Sequence, residues 1–225
     1  MSPTCLGRST WYLLMSEPQR PEARDGDAGA GRERMEPTIP EAKITSTEHG
    51  QIPEGEGWFV LNGREALWWH TDWRGWFCDF EGDIEFTQVG INLNVLPPGQ
   101  PRGLYHAENA QEDFLVIAGE CLLVIEGHER MLKQWDFVHC PPWTEHVLIS
   151  AGVRDCVLLS VGARKDVFRG LEIRFPVAQA ALKHGAGVTE ETSSPEQANA
   201  SRGLPTRRRY REGDLPSFGG DVSSA

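Results

Sequence analysis

Residues 89–96, VGINLNVL, alternate: Val89, Ile91, Leu93 and Val95 fall on one face, Asn92 and Asn94 on the other. That period of two is the signature of a β-strand. PPGQPRG (97–103) breaks it, and short strand-like runs then follow one another down the chain. FLVIAG (114–119) ends at Gly119, and CLLVIEGHERML (121–132) reads as a hairpin turning at Glu126-Gly127-His128-Glu129. DFVHC (136–140) is stopped by Pro141-Pro142, and HVLIS (146–150) and CVLLSVG (156–162) come after. Strands spaced about 8–12 residues apart, with no helical period between them, predict an antiparallel sandwich or barrel. The Trp-rich stretch WFVLNGREALWWHTDWRGWFCDF (58–80) is expected to add outer strands and packing, with His70, Asp72 and Trp73 as candidates for a pocket wall. VAQAALKHG (177–185) reads as a short helix ending at Gly185.

Composition changes this picture at the ends. Hydrophobic residues are 39% of 225, and residues 16–42 contain almost none of them. Such a stretch cannot offset the entropy of ordering. From Glu190 onward the chain is similar. The expectation is a disordered N-terminal tail (1–43), one globular domain (44–188) and a disordered C-terminal tail (189–225). Met35, after that polar stretch, is an alternative start to Met1. A net charge of −11 argues against bulk electrostatic binding of nucleic acid or an anionic membrane. The local run Arg207-Arg208-Arg209-Tyr210-Arg211 reads as a solvated basic patch in the tail, or a dock for an acidic partner.

Five cysteines at 5, 78, 121, 140 and 156 lack CxxC spacing and suit reduced thiols in a cytoplasm. WYLLM (11–15) is too short for a signal-peptide core, and no run reaches membrane-spanning length. No phosphate-cradling loop and no nucleophile elbow appear.

The chemistry concentrates in YHAENAQEDF (105–114). His106 and Glu108, two apart, project together from a strand, and Glu112 follows a turn at Asn109-Ala110-Gln111. His146 opens a later strand after CPPWTE. Neutral imidazoles and carboxylates drawn from neighbouring strands suit a divalent Mn, Fe, Ni or Zn ion. The competing readings are a solvated acidic loop and a metal-free interior with hydrogen-bonded histidines. Glu108 is either a fourth ligand or a free general base. Tyr105, His139 and Trp143 are the expected substrate-pocket walls, Cys121 and Cys140 packed small hydrophobes, and His128 an exposed turn residue.

On these residues the chain resembles the cupin superfamily. Gly99, His106, Glu112 and Gly119 fit its first motif; Asp136, Pro141 and His146 fit its second. Glu108 stands at the motif's usual second His, Trp135 and Trp143 at its two glycines, and Ser150 at its usual Asn. The resemblance implies an all-β, antiparallel double-stranded β-helix (jelly-roll barrel), with His106, Glu112 and His146 matching metal ligands and Glu108 a substituted candidate. Together with the aromatic surface of the Trp-rich segment 58–80, it leads to the expectation of a homodimer. The function it implies is a metal-dependent enzyme on a small oxygen-rich molecule, of dioxygenase, isomerase or lyase type. The alternative is a non-catalytic small-molecule-binding or regulatory barrel.

Overall fold

The structure, a computed structural model, describes residues 39–164 and 170–210. The expected tail through residue 38 and Cys5 lie outside these residues.

The chain forms β1 (Lys43–Thr47), β2 (Gly50–Glu54), β3 (Leu67–Thr71), β4 (Gly75–Cys78) and β5 (Val89–Leu96). Next come β6 (Ala107–Glu108), β7 (Glu112–Ala118), β8 (Glu120–Ile125), β9 (His128–Lys133) and β10 (Phe137–Cys140). β11 (His146–Ser150), β12 (Cys156–Ala163) and β13 (Ile173–Arg174) follow, then the one-turn helices α1 (Gln179–Leu182) and α2 (Pro195–Ala198), and β14 (Thr206–Arg209). The strands expected at 89–96 and 146–150 form over those residues, and the others fit within one or two.

Seven strands in the order β10-β7-β12-β5-β4-β3-β14 make a large sheet, and β11-β8-β9 a small one, all their pairings antiparallel. The sheets face each other across Leu96, Phe114, Val116, Cys121, Leu123, Leu132, Val138, Cys140, Leu148, Cys156 and Leu158. This is the expected double-stranded β-helix. The β8–β9 hairpin closes through Glu126 (φ 48°) and Gly127 (φ 74°), both left-handed as a two-residue turn between twisted strands requires. His128 begins β9 and is exposed. At the β7–β8 joint Gly119 has φ 79°, and a Cβ there would meet Asp155 O at 2.6 Å. Only glycine lets the chain switch sheets at that point.

Two features differ from expectation. First, residues 190–210 are not a free tail. Phe175 and Thr192 bridge, Ser194 caps α2 by accepting from Gln197 N (3.2 Å), and β14 pairs with β3. Tyr210 then packs on Trp68 (6.2 Å between rings). Backbone pairing to an open sheet edge needs no apolar side chains, so composition did not reveal it. The arginines use their stems and charge locally: Arg207 lies over the Trp69 ring (5.3 Å). Second, the 177–185 helix shrinks to one turn, because Ala178 is extended (φ −127°, ψ 118°) and Gly185 is left-handed. The alternation of β5 forms as read, and the structure decides which of its faces is inside. Asn92 (4% exposed) and Asn94 (1%) point into the barrel, while Ile91 and Leu93 face outward and are half-buried.

The Trp-rich stretch supplies β3 and β4 as expected. Trp68 and Trp69 are buried within the chain. Among the described residues no helix is long and apolar enough to cross a membrane.

Candidate metal centre

Residues 99–106 run alongside β11. Gly99 N donates to Ser150 O, Arg102 N to Leu148 O, and His106 and His146 exchange both backbone bonds (3.2 and 2.9 Å). Residues that exchange both bonds project their side chains to the same face, so the two imidazoles stand side by side, ring centroids 5.0 Å apart. From the opposite sheet, Glu112 at the start of β7 points inward, its 6% exposure set by the inward register of Cys140, Glu112 and Gly162. One ligand atom from each of His106, Glu112 and His146 lies within 4.8 Å of the others.

The imidazole tautomers follow from their partners. His106 Nδ1 sits 2.8 Å from Leu104 O and His146 Nδ1 2.9 Å from Thr144 O. A carbonyl only accepts, so both Nδ1 atoms carry hydrogen. In the neutral rings each Nε2 is then a lone pair, and both lone pairs face Glu112 Oε2, at 3.2 and 3.1 Å. Acceptors converge on an acceptor, a set that needs a cation between them. His146 Nε2 is buried without a hydrogen-bond partner, since its approach to Glu112 lacks hydrogen-bond alignment. Backbone-fixed Nδ1–H with Nε2 presented inward is how metal-binding histidines are held. The donor set therefore fits a divalent ion.

Protons also bind this set strongly. Burial works against a charged His146, but Cys140 and Glu112 outweigh it and push the imidazole up to about 9. Burial alone would raise Glu112, yet the imidazoles of His106 and His146 beside it and the charge of Arg102 hold it well below the usual carboxylate range.

Glu108, expected as a possible fourth ligand, stands outside the convergent group. β6 pairs with β13, and Glu108 O accepts from Trp143 N (2.6 Å). Its side chain is half-buried; burial first, then the charge of Glu112, push its carboxyl up to about 8. Asn109, in the turn after β6, fastens residues 170–172 over this end of the barrel. Its amide donates to Gly170 O (3.2 Å) and its carbonyl accepts from Glu172 N (3.1 Å).

Two expected pocket walls are corrected by strand parity. Tyr105 precedes His106, so its ring points the other way, into the cluster of Leu122, Val124, Val147 and Ile149 under α1. Its hydroxyl donates to Glu145 Oε2 (3.1 Å) and accepts from Gly127 N (3.0 Å). It is a structural residue. His139 lies between inward Val138 and Cys140, hence on the outer face, where it is half exposed and bonded to Asp113 (2.7 Å). Trp143 does stand at a cleft: with Leu171, Glu172, Ile173, Arg174, Ser193 and Pro195 it lines a space of about 580 Å³. Arg174 lies over its ring at 5.7 Å. Its φ of 71°, like the 74° of Trp135, is left-handed, a conformation that costs a side-chain-bearing residue about 1–2 kcal/mol.

Sequence reading missed Arg102. Its Nη2 is 3.5 Å from Glu112 Oε1, its Nε donates to Ser160 Oγ (2.9 Å), and its guanidinium covers the Phe114 ring at 5.0 Å. Ser160 Oγ also accepts from Asn94 Nδ2 (3.0 Å). An arginine four residues before His106 on an extended segment was the available signal, because even spacing places both on one face.

Residues 92–162 match the family model for the cupin domain. Solved structures similar to the chain include a candidate sugar phosphate isomerase from Acidithiobacillus ferrooxidans, 26% identical over 39% of this chain and 54% of that one (TM-score 0.35). Another is a sugar phosphate isomerase of the cupin superfamily from Silicibacter pomeroyi, 23% identical over 40% and 62% (TM-score 0.34). A third is a cupin family protein from Methanocaldococcus jannaschii, 23% identical over 36% and 74% (TM-score 0.34). The chain thus spans less than two thirds of the first two. No curated protein matches it. With the two-sheet barrel and the His106–Glu112–His146 group at its core, residues 92–162 of this chain are a cupin domain.

Proposed function

We propose that the barrel is a metal-dependent enzyme acting on a small oxygen-rich molecule, with a divalent ion held by His106, Glu112 and His146. The observation that carries this is the pair of Nε2 lone pairs converging on one carboxylate oxygen, one of them buried without a partner. Two imidazoles and one carboxylate leave open positions and suit Fe, Mn, Ni or Zn. A bound ion there would supply Lewis-acid or redox chemistry to chelated substrate oxygens.

The chain's own residues do the rest. Leu104 O and Thr144 O fix the imidazoles, and Arg102 holds the second oxygen of Glu112 away from the histidines. Glu108, beside the triad but outside it, is the carboxylate placed to take and return a substrate proton. Trp143 and residues 171–174 shape the approach, and the strap fastened by Asn109 limits water. Dioxygenase, isomerase and lyase chemistry all fit this arrangement. The alternative is a metal-free binding module, in which a protonated His146 would pair with Glu112 at 3.1 Å.

Metal analysis by mass spectrometry on untagged protein, with His146→Ala alongside, decides between them. Near-stoichiometric metal that the variant loses supports the enzyme; wild type that stays metal-free after reconstitution with Fe, Mn, Ni and Zn overturns it.

The described cysteines (78, 121, 140, 156) are buried and free, which supports a reducing, cytoplasmic setting. A homodimer is proposed through the outer face of the large sheet. There Phe137, Leu115, Leu159 and Leu93 lie in one cross-strand row, Phe137 64% exposed. A monomer by sedimentation at micromolar concentration would refute it.

A further inference from the structure

A second arginine reaches the inner face of the large sheet near the triad. Arg74, in the turn between β3 and β4, lays its guanidinium on the Phe77 ring at 4.2 Å. Phe77 is in register with Asn94. Asn94 Nδ2 donates to Ser160 Oγ, the same oxygen that accepts from Arg102 Nε. A continuous row of contacts therefore links Arg74 to Arg102 and on to Glu112.

The two cations are unequally matched. Arg102 has the Glu112 carboxylate at 3.5 Å. Among the described residues, Arg74 has the Phe77 face and no carboxylate in ion-pair range. The acids nearest in sequence are otherwise placed: Asp72 is exposed with its Oδ1 3.9 Å from His70 Nδ1, Asp79 Oδ1 accepts from Glu81 N (3.3 Å), and Glu81 pairs with Arg164. Arg74 is half-buried at the end of that row of contacts, and burial, then the charge of Arg102, push it down to about 9. A desolvated guanidinium beside another is unfavourable unless an anion joins them. The inward amides and hydroxyl of Asn92, Asn94 and Ser160 add polar lining where an apolar barrel core would be expected.

We propose that Arg74 and Arg102 together recognise an oxyanion, a carboxylate or phosphate group, on a substrate whose other oxygens reach His106, Glu112 and His146. The proposal deepens the metal-enzyme reading and rests on it. Planar guanidinium forks match both groups, and water exclusion strengthens the pairing. It narrows the substrate class from oxygen-rich molecules in general to small acids, and makes neutral polyols poor ligands.

The test uses the full chain loaded with Co²⁺, whose visible absorption reports both metal uptake and ligand binding. It is titrated with lactate, glycerol 3-phosphate and neutral propane-1,2-diol. The expected result is that at least one acid binds about tenfold or more tighter than the diol. Arg74→Met should abolish that preference while Co²⁺ uptake changes by less than about threefold. Arg74→Lys, which keeps charge and stem, should restore part of it and guards against a folding defect in the methionine variant. The acid that wins names the group recognised. Equal binding of acids and diol, or a preference that survives Arg74→Met, would overturn the arginine pair with the metal site intact. Absence of Co²⁺ uptake by the wild type, seen before any acid is added, would overturn the metal reading and this one with it.

Discussion

Replacing Glu112 by alanine removes the one negative charge at the meeting point of both sheets. Its carboxylate is 8% exposed and faces Arg102 at 3.5 Å, His106 at 3.2 Å and His146 at 3.1 Å. At an effective dielectric of about 20, a pair of unit charges at that spacing attracts by about 5 kcal/mol before desolvation is subtracted. Truncating one partner of a buried pair costs about 3–5 kcal/mol, because the other charge is left alone. A domain of this size loses about 2–4 °C of Tm per kcal/mol, so the metal-free variant should melt about 6–20 °C lower than wild type. Metal adds a second reading: an ion at a hundred times its Kd stabilises wild type by about 3 kcal/mol, and should leave the variant unmoved. Differential scanning calorimetry in chelator, then with Mn²⁺ or Zn²⁺, measures both. A fall below about 3 °C in chelator would refute the buried pairing, and a full metal-induced rise in the variant would remove Glu112 from the ligand set.

Phe114→Ala should cost about 3–5 kcal/mol in urea unfolding, since the ring is 1% exposed, sits in the inter-sheet core and supports both Arg102 and His146; a loss under about 1 kcal/mol would contradict that packing. Tyr105→Phe should cost about 1–2 kcal/mol by stranding Gly127 N and Glu145, with metal affinity unchanged; weakened metal binding would return Tyr105 to the site. Burial pushes the Glu81 carboxyl up to about 7, outweighing Arg164 beside it. A raised acid favours the folded state below its ordinary value of 4.5 and loses that advantage as pH rises through about 7. Glu81→Gln, which mimics the protonated form, should match wild type near pH 5 and exceed it near pH 8, by up to about 3 kcal/mol. Denaturation that finds the variant weaker at both pH values would mean the ionised Glu81–Arg164 pair prevails.

The strands at 89–96 and 146–150 were legible because their side chains repeat every second residue, and local periodicity needs nothing from the rest of the fold. The His106–Glu112 pair was legible for a related reason, since a short turn closes their six-residue spacing, while His146, 34 residues further on, was placed by its fit to the second motif. Periodicity tells which residues share a face, not which face is inside. That is why Asn92 and Asn94 read as one side of an ordinary strand, and only the packed barrel shows that this side is buried. Parity could have turned Tyr105 and His139 away from the site, once the inward direction at His106 and Cys140 was known; packing alone supplied it. Arg74 reaches the same face from a turn about thirty residues upstream of Arg102, and no local pattern links the two. β14 is the same lesson for backbone: TRRR carries no strand signal of its own, and it becomes a strand because β3 presents an unpaired edge. The sequence by itself determined the strand frame and brought forward His106, Glu108, Glu112 and His146 as candidate ligands. The tertiary structure alone decided which faces turn inward, which charges meet there, and where the last strand docks, because each depends on contacts between segments far apart in the chain.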